Sequence, residues 1–210
     1  MSTGAGVVAM VKTARSRATR RRIAEAAAEL FVRDGYLQTT MAAIAREAGV
    51  AVQTLYLAFE GKAAILSAAV DLAVAGDDAP VPILDRPWVA RVRADPDGVA
   101  ALGVFVGAAT QIIERFYPLY AAMRAASADP EVADLVTLNK RQRHMVHAQI
   151  VRELSEKDGF RPEVGHATDV VYTMVSQETY GLMVAERGRP AAEWSAWVAR
   201  VLTEELFRTR

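Results

Sequence analysis

The chain has 210 residues, 52% hydrophobic and 24% charged, with 25 Lys/Arg balanced by 25 Asp/Glu and no cysteine. That composition can bury a core in one large domain or in a small one joined to a medium one. The lack of thiols excludes disulfides, thiolate metal sites and thiol catalysis, and fits a reducing cytoplasm.

The opening apolar stretch, Ala5 to Val11, precedes its charges, the reverse of a secretory signal. Lys12 to Arg22 then carries six basic residues and no acid. Residues 1–18 read as a flexible basic arm, with the charge run continuing as a solvated extension of the first helix. A minority reading has the arm reach a DNA groove or phosphates. Nine of the Lys/Arg residues and five of the acids fall within positions 1–62, so the N-terminal part is net basic and the remainder net acidic. A basic end beside an acidic body suits a polyanionic partner.

Ile23, Ala26, Ala27, Leu30 and Phe31 form the stripe of an amphipathic helix that ends near Asp34-Gly35. A short helix follows over Met41 to Glu47, with Thr39-Thr40 as N-cap candidates and Gly49 behind it. A third spans about Ala51 to Leu57, and a fourth about Lys62 to Val74. Two short helices around a Gly turn, set between longer ones, form the helix-turn-helix plan. Ile44, Leu55 and Phe59 can face its core, which leaves Val52, Gln53 and Tyr56 outside. Gln can pair with adenine in the major groove, Val can meet a thymine methyl, and hydroxyls can reach phosphates or bases. The helix starts at Thr40 and Lys62 offer N–H groups and positive dipole ends to phosphate.

From Gly76 to Pro87 three prolines and three aspartates forbid a regular helix, which places the domain boundary near residue 74. Further helices are expected over 97–116, 117–127, 131–157, 163–187 and 191–207. Pro118, Asp129-Pro130, Asp158-Gly159 and Gly188-Arg189-Pro190 separate them. The uncharged run Gly98–Ile113 is shorter than the roughly 20 residues a bilayer needs and is expected as a buried core helix, without a membrane partner. No strand alternation appears. The fold class is all-α, with a helix-turn-helix domain of three to four helices over 19–74 and a larger helical domain over 75–210.

Enzyme motifs are missing: there is no GxSxG, HExxH or P-loop. Gly4–Ala9 fits GxGxxA without the strand a dinucleotide site requires. His144 and His147 are three apart on one helix, but no third ligand accompanies them and nearby cations crowd the pair. A polar helix face is expected there. Catalytic residues, metal and cofactor are all expected to be none.

Residues 19–66 resemble the tetracycline-repressor (TetR) family of bacterial one-component regulators. The match is the joined pattern Ile23, Ala27, Leu30-Phe31, Gly35-Tyr36, Thr39-Thr40, Ile44-Ala45, Ala48-Gly49-Val50, Thr54-Leu55-Tyr56, Phe59, Lys62 and Leu66. The resemblance implies a homodimer of nine or ten helices per chain, its third helix in the major groove of an operator, and a variable ligand domain. Carried over, Thr40, Tyr56 and Lys62 match phosphate contacts, with Thr39 beside them, and Val52, Gln53 and Thr54 lie on the base-reading face. The sequence departs from the family at Ala51, Gln53 and Ala58. Ala51 lacks the side-chain oxygen of a helix cap.

In the C-terminal part, Phe105, Phe116, Tyr117 and Tyr120 are candidates to line a site for a mostly apolar effector, together with Met123, Tyr172, Gln177 and Tyr180. The last two long helices are apolar on several sides and are expected to build the dimer through Val171, Val175, Leu182, Trp194, Trp197 and Val201.

Overall fold

A computed structural model describes residues 3–77, 79 and 81–207, with side chains from residue 16 onward. Among these residues there is no strand, only an isolated bridge between Phe160 and Phe207. The chain divides into two compact units. One comprises the residues up to Ala79 together with Pro118–Val136, the other Pro80–Tyr117 with Thr137–Arg210.

In the first unit, α1 (Thr3–Asp34) packs on α4 (Lys62–Ala75) and on the short helices α2 (Met41–Glu47) and α3 (Val52–Ala58). Residues 3–18 lie on α1. The predicted stripe Ile23, Ala26, Ala27, Leu30 and Phe31 is buried. It meets the requirement that an amphipathic helix cover its apolar face. Ile44 and Ala45 of α2, Leu55 of α3 and Ile65, Leu66, Ala69 and Val70 of α4 are buried as well.

The first α-helix of the second unit is α5 (Pro87–Ala94), which the sequence reading missed because prolines surround it. Pro87 occupies its first turn, where a missing N–H costs nothing. Val89 and Val92 anchor it in the core. The helix α6 (Gly98–Ala125) corrects the expected division at Pro118, because it runs through that residue. An interior proline costs about 3 kcal/mol or more. Phe116 before it and Leu119, Tyr120 and Met123 after it are all buried, so tertiary packing overrides local propensity here. By length and composition α6 could cross a membrane, but half of its apolar window is buried inside the protein.

The chain continues through α7 (Pro130–Ser155), α8 (Val164–Met174), α9 (Gln177–Tyr180), a π-helical turn over Gly181–Glu186, and α10 (Ala191–Leu206). The single helix expected over 163–187 is therefore interrupted. Val175 leaves helical geometry and Ser176 is extended, its hydroxyl accepting the Thr179 N–H at 3.1 Å as an N-cap. Thr179 Oγ1 donates to the Met174 carbonyl at 2.8 Å and accepts from the Trp194 indole N–H at 3.2 Å. One hydroxyl thus ties the interruption to α10.

Candidate functional site

The α2–α3 corner is built by backbone geometry. Gly49 has φ +62°, the left-handed region that favours glycine. The Gly49 N–H donates to the Arg46 carbonyl at 3.2 Å and the Val50 N–H to the Ala45 carbonyl at 2.9 Å. This is the Schellman termination of α2. At the other end Thr40 is the N-cap, its Oγ1 accepting the Ala43 N–H at 3.1 Å. Ala51 stands at the start of α3 without a side-chain cap.

Leu55 and Phe59 are buried and seat α3 on the unit's core. The opposite face carries Val52, Gln53 and Tyr56 exposed and Thr54 half-buried. Leu57, to which the sequence reading gave no role, is 89% exposed on this short helix. With Val52 and Tyr56 it leaves three large apolar or aromatic side chains exposed on one short helix.

Two cations that the sequence presents as part of a basic surface serve as internal fasteners. Arg20 donates from Nη1 to the Ala58 carbonyl, and its guanidinium lies 4.0 Å from the centroid of the Phe59 ring. It therefore fixes the C-terminal end of α3 to α1. Lys62 Nζ donates to the Tyr36 carbonyl at 2.9 Å and the Thr39 carbonyl at 3.1 Å. Two of its three N–H bonds are used within the protein, which leaves one for an outside acceptor. The Thr39 side chain is buried and donates to the Gly35 carbonyl at 2.8 Å. It holds the α1–α2 turn instead of facing outward. Burial and the negative charges of Asp129 and Glu131 push the Tyr36 hydroxyl up to about 12, so it stays protonated.

The predicted effector-lining residues divide between the units. Tyr120 and Met123 are buried in the first, whereas Phe105, Phe116, Tyr117, Tyr172, Gln177 and Tyr180 belong to the second. In the second unit the Tyr117 and Tyr180 rings are 5.3 Å apart, and Tyr180 meets Trp194 edge-on at 5.4 Å. A second group forms around His147, whose ring meets Phe105 at 5.5 Å and Tyr172 at 6.1 Å. His147 is buried, which corrects the expected polar helix face; its signal was its place with Ile150, Val151 and Leu154 on one apolar stripe. Burial, reinforced by the positive charges of Arg143 and His144, holds its imidazole down at about 3. Arg143 donates from Nη1 to Gln177 Oε1 and to Glu178 Oε2. Among the described residues no cluster of side chains could hold a metal ion.

Of the predicted dimer residues, Val171, Val175 and Trp194 are fully buried in the protomer's own core. A side chain already covered within its own chain has little area left for a partner. Leu182 is exposed, and Trp197 and Val201 are half-buried.

A search of curated protein sequences gives no match. Residues 23–69 match the family described as bacterial regulatory proteins, tetR family. Among solved structures, the SmeT–triclosan complex aligns with a TM-score of 0.69 at 18% identity, covering 91% of this chain and 92% of that one. A transcriptional regulator from Saccharomonospora viridis in complex with choline aligns at 0.67 and 19% identity, covering 90% and 98%. The regulator FadR from Bacillus subtilis in complex with stearoyl-CoA aligns at 0.63 and 18% identity, covering 86% and 96%. The N-terminal helices thus match the family of bacterial regulatory proteins described as tetR, and the chain as a whole shares the fold of these solved regulators.

Proposed function

We propose that the protein is a cytoplasmic transcriptional repressor that binds a near-palindromic operator as a homodimer and releases it when a small, mostly apolar molecule binds. The observation that carries this reading is the outward face of α3, where Val52, Gln53, Tyr56 and Leu57 are exposed while Leu55 and Phe59 hold the helix down. Val52, Gln53 and Thr54 read bases, and Thr40, Tyr56 and the remaining N–H of Lys62 hold phosphate. Residues 19–74 form the DNA-binding domain, and 75–210 supply ligand binding and dimerisation. The self-complementary surface is built on Leu182, Trp197 and Val201.

Effector binding is supported by the chemical variety of the ligands seen with this fold: choline, stearoyl-CoA and triclosan in three separate relatives. Repression is relieved when the ligand favours a dimer whose α3 helices no longer match successive major grooves, about 34–36 Å apart. By reciprocity the ligand and the operator then weaken each other equally. The protein transmits a binding event and performs no reaction. The test is selection of bound duplexes from a random pool, followed by footprinting. A short two-fold symmetric protected site is the expected result, and uniform weak retention of all sequences would refute sequence-specific regulation.

A further inference from the structure

Arg143 and His147 are four residues apart on α7 and so share one of its faces. Each keeps a buried nitrogen, Arg143 Nε and His147 Nδ1, that has no hydrogen-bond partner among the described residues. Buried polar atoms are nearly always paired, and an exception calls for an account of what completes it. His147 is only 5% exposed, enclosed by the Phe105 ring of α6 and the Tyr172 ring of α8. Arg143 is fixed in direction. Its guanidinium carbon lies 4.4 Å from the Tyr172 ring centroid, and Gln177 and Glu178 take its Nη1.

We infer that the second unit takes a small molecule with a carboxylate on an apolar body, the carboxylate accepting hydrogen bonds from Arg143 Nε and His147 Nδ1. This rests on the effector-binding reading above and names the chemistry of that effector. The Arg143 Nε–H can only donate, so its missing partner must be an acceptor. A charge-assisted bond to an anion is the strongest form available to it. Local charge also favours an anion, because Lys140 and Arg143 both pair with the single carboxylate of Glu178, at 3.4 and 3.1 Å. The apolar rings of Phe105 and Tyr172 around His147 suit a ligand whose carboxylate is carried on an apolar body, which distinguishes this site from one for free phosphate or sulfate.

The experiment uses full-length protein and a panel of monocarboxylic acids, aromatic and aliphatic, each paired with its own primary amide of nearly equal shape. Binding is measured by calorimetry, and operator affinity is measured separately. Acids are expected to bind at least tenfold more tightly than their amides, and Arg143→Met to erase that preference. His147→Phe replaces a ring whose Nδ1 has no partner among the described residues by an apolar one of similar size, so it is expected to remain folded while losing affinity for the acids. A panel in which no acid outbinds its amide overturns the assignment, as does a preference that survives both variants. If amides bind and release the operator, effector sensing stands and only the carboxylate is lost. If acids bind as expected but leave operator affinity unchanged, the site stands and the sensing reading fails.

Discussion

The ammonium of Lys62 sits 4.2 Å from the centroid of the Tyr36 ring and donates to the same residue's carbonyl at 2.9 Å. With the bond to the Thr39 carbonyl, this joins the start of α4 to the turn that positions α2. A residue expected to serve DNA is therefore also a fastener of the domain.

Lys62→Ala should accordingly have two separable effects. Loss of two charge-assisted bonds and a ring contact is expected to lower stability by roughly 1–3 kcal/mol, seen in thermal unfolding without DNA. Loss of one phosphate contact is expected to reduce the salt dependence of operator binding by about one unit in log–log slope. An unchanged slope with lowered stability would leave Lys62 a structural role only.

On α3 the effects should part by chemistry. Gln53→Ala is expected to alter preference at one base position per half-site, at a cost of about 1–3 kcal/mol. Tyr56→Phe should weaken binding to all sequences alike. Leu57→Ala should leave stability within about 0.5 kcal/mol, because the side chain is almost wholly exposed, yet reduce operator affinity. Competition assays with cognate and scrambled duplexes separate the three.

What the sequence made legible was local. Gly49 at a left-handed turn and Leu55 four residues before Phe59 are short-range patterns, and α2, α3 and their inward faces follow from them. What escaped depended on distant partners. Arg20 reads as one cation among six until Phe59 and the Ala58 carbonyl fold onto it. Pro118 reads as a helix end until packing on both sides carries α6 through. The interruption at Val175–Ser176 lies inside a continuous apolar pattern, and the Thr179 hydroxyl that stabilises it finds its partner on α10. Val171, Val175 and Trp194 illustrate the same limit, since apolarity reveals that a residue is covered but not by which chain.

Gly181 provides a packing test in the second unit. A Cβ there would lie 2.6 Å from the Tyr117 hydroxyl oxygen and 3.0 and 3.1 Å from two of its ring carbons. The ring cannot flex away without disturbing its contact with Tyr180. Gly181→Ala is expected to destabilise the protein by about 1–3 kcal/mol, as overpacking does. In a double-mutant cycle with Tyr117→Leu, the penalty should shrink because the obstructing ring is gone. Full additivity in urea unfolding would show that the two residues do not press on each other.

Acid sensitivity should report on His147. Its folded-state imidazole titrates at about 3, against an ordinary value of 6.5, so between these pH values the unfolded chain holds a proton that the folded chain refuses. Stability is therefore complete above about pH 6.5 and falls as the pH drops toward 3, with a slope of at most about 1.4 kcal/mol per pH unit. At pH 5 the loss from this residue is about 2 kcal/mol, set almost wholly by the unfolded-state value. Glu153 and Glu163, both held below the usual carboxylate range by hydrogen bonds, add losses of the same sign only at lower pH. His147→Phe removes the first loss and leaves the other two. The difference in unfolding free energy between the variant and the parent should then grow in the variant's favour from pH 7 to pH 5. Parallel stability curves over that range would mean that His147 accepts a proton in the folded state as readily as in the unfolded chain.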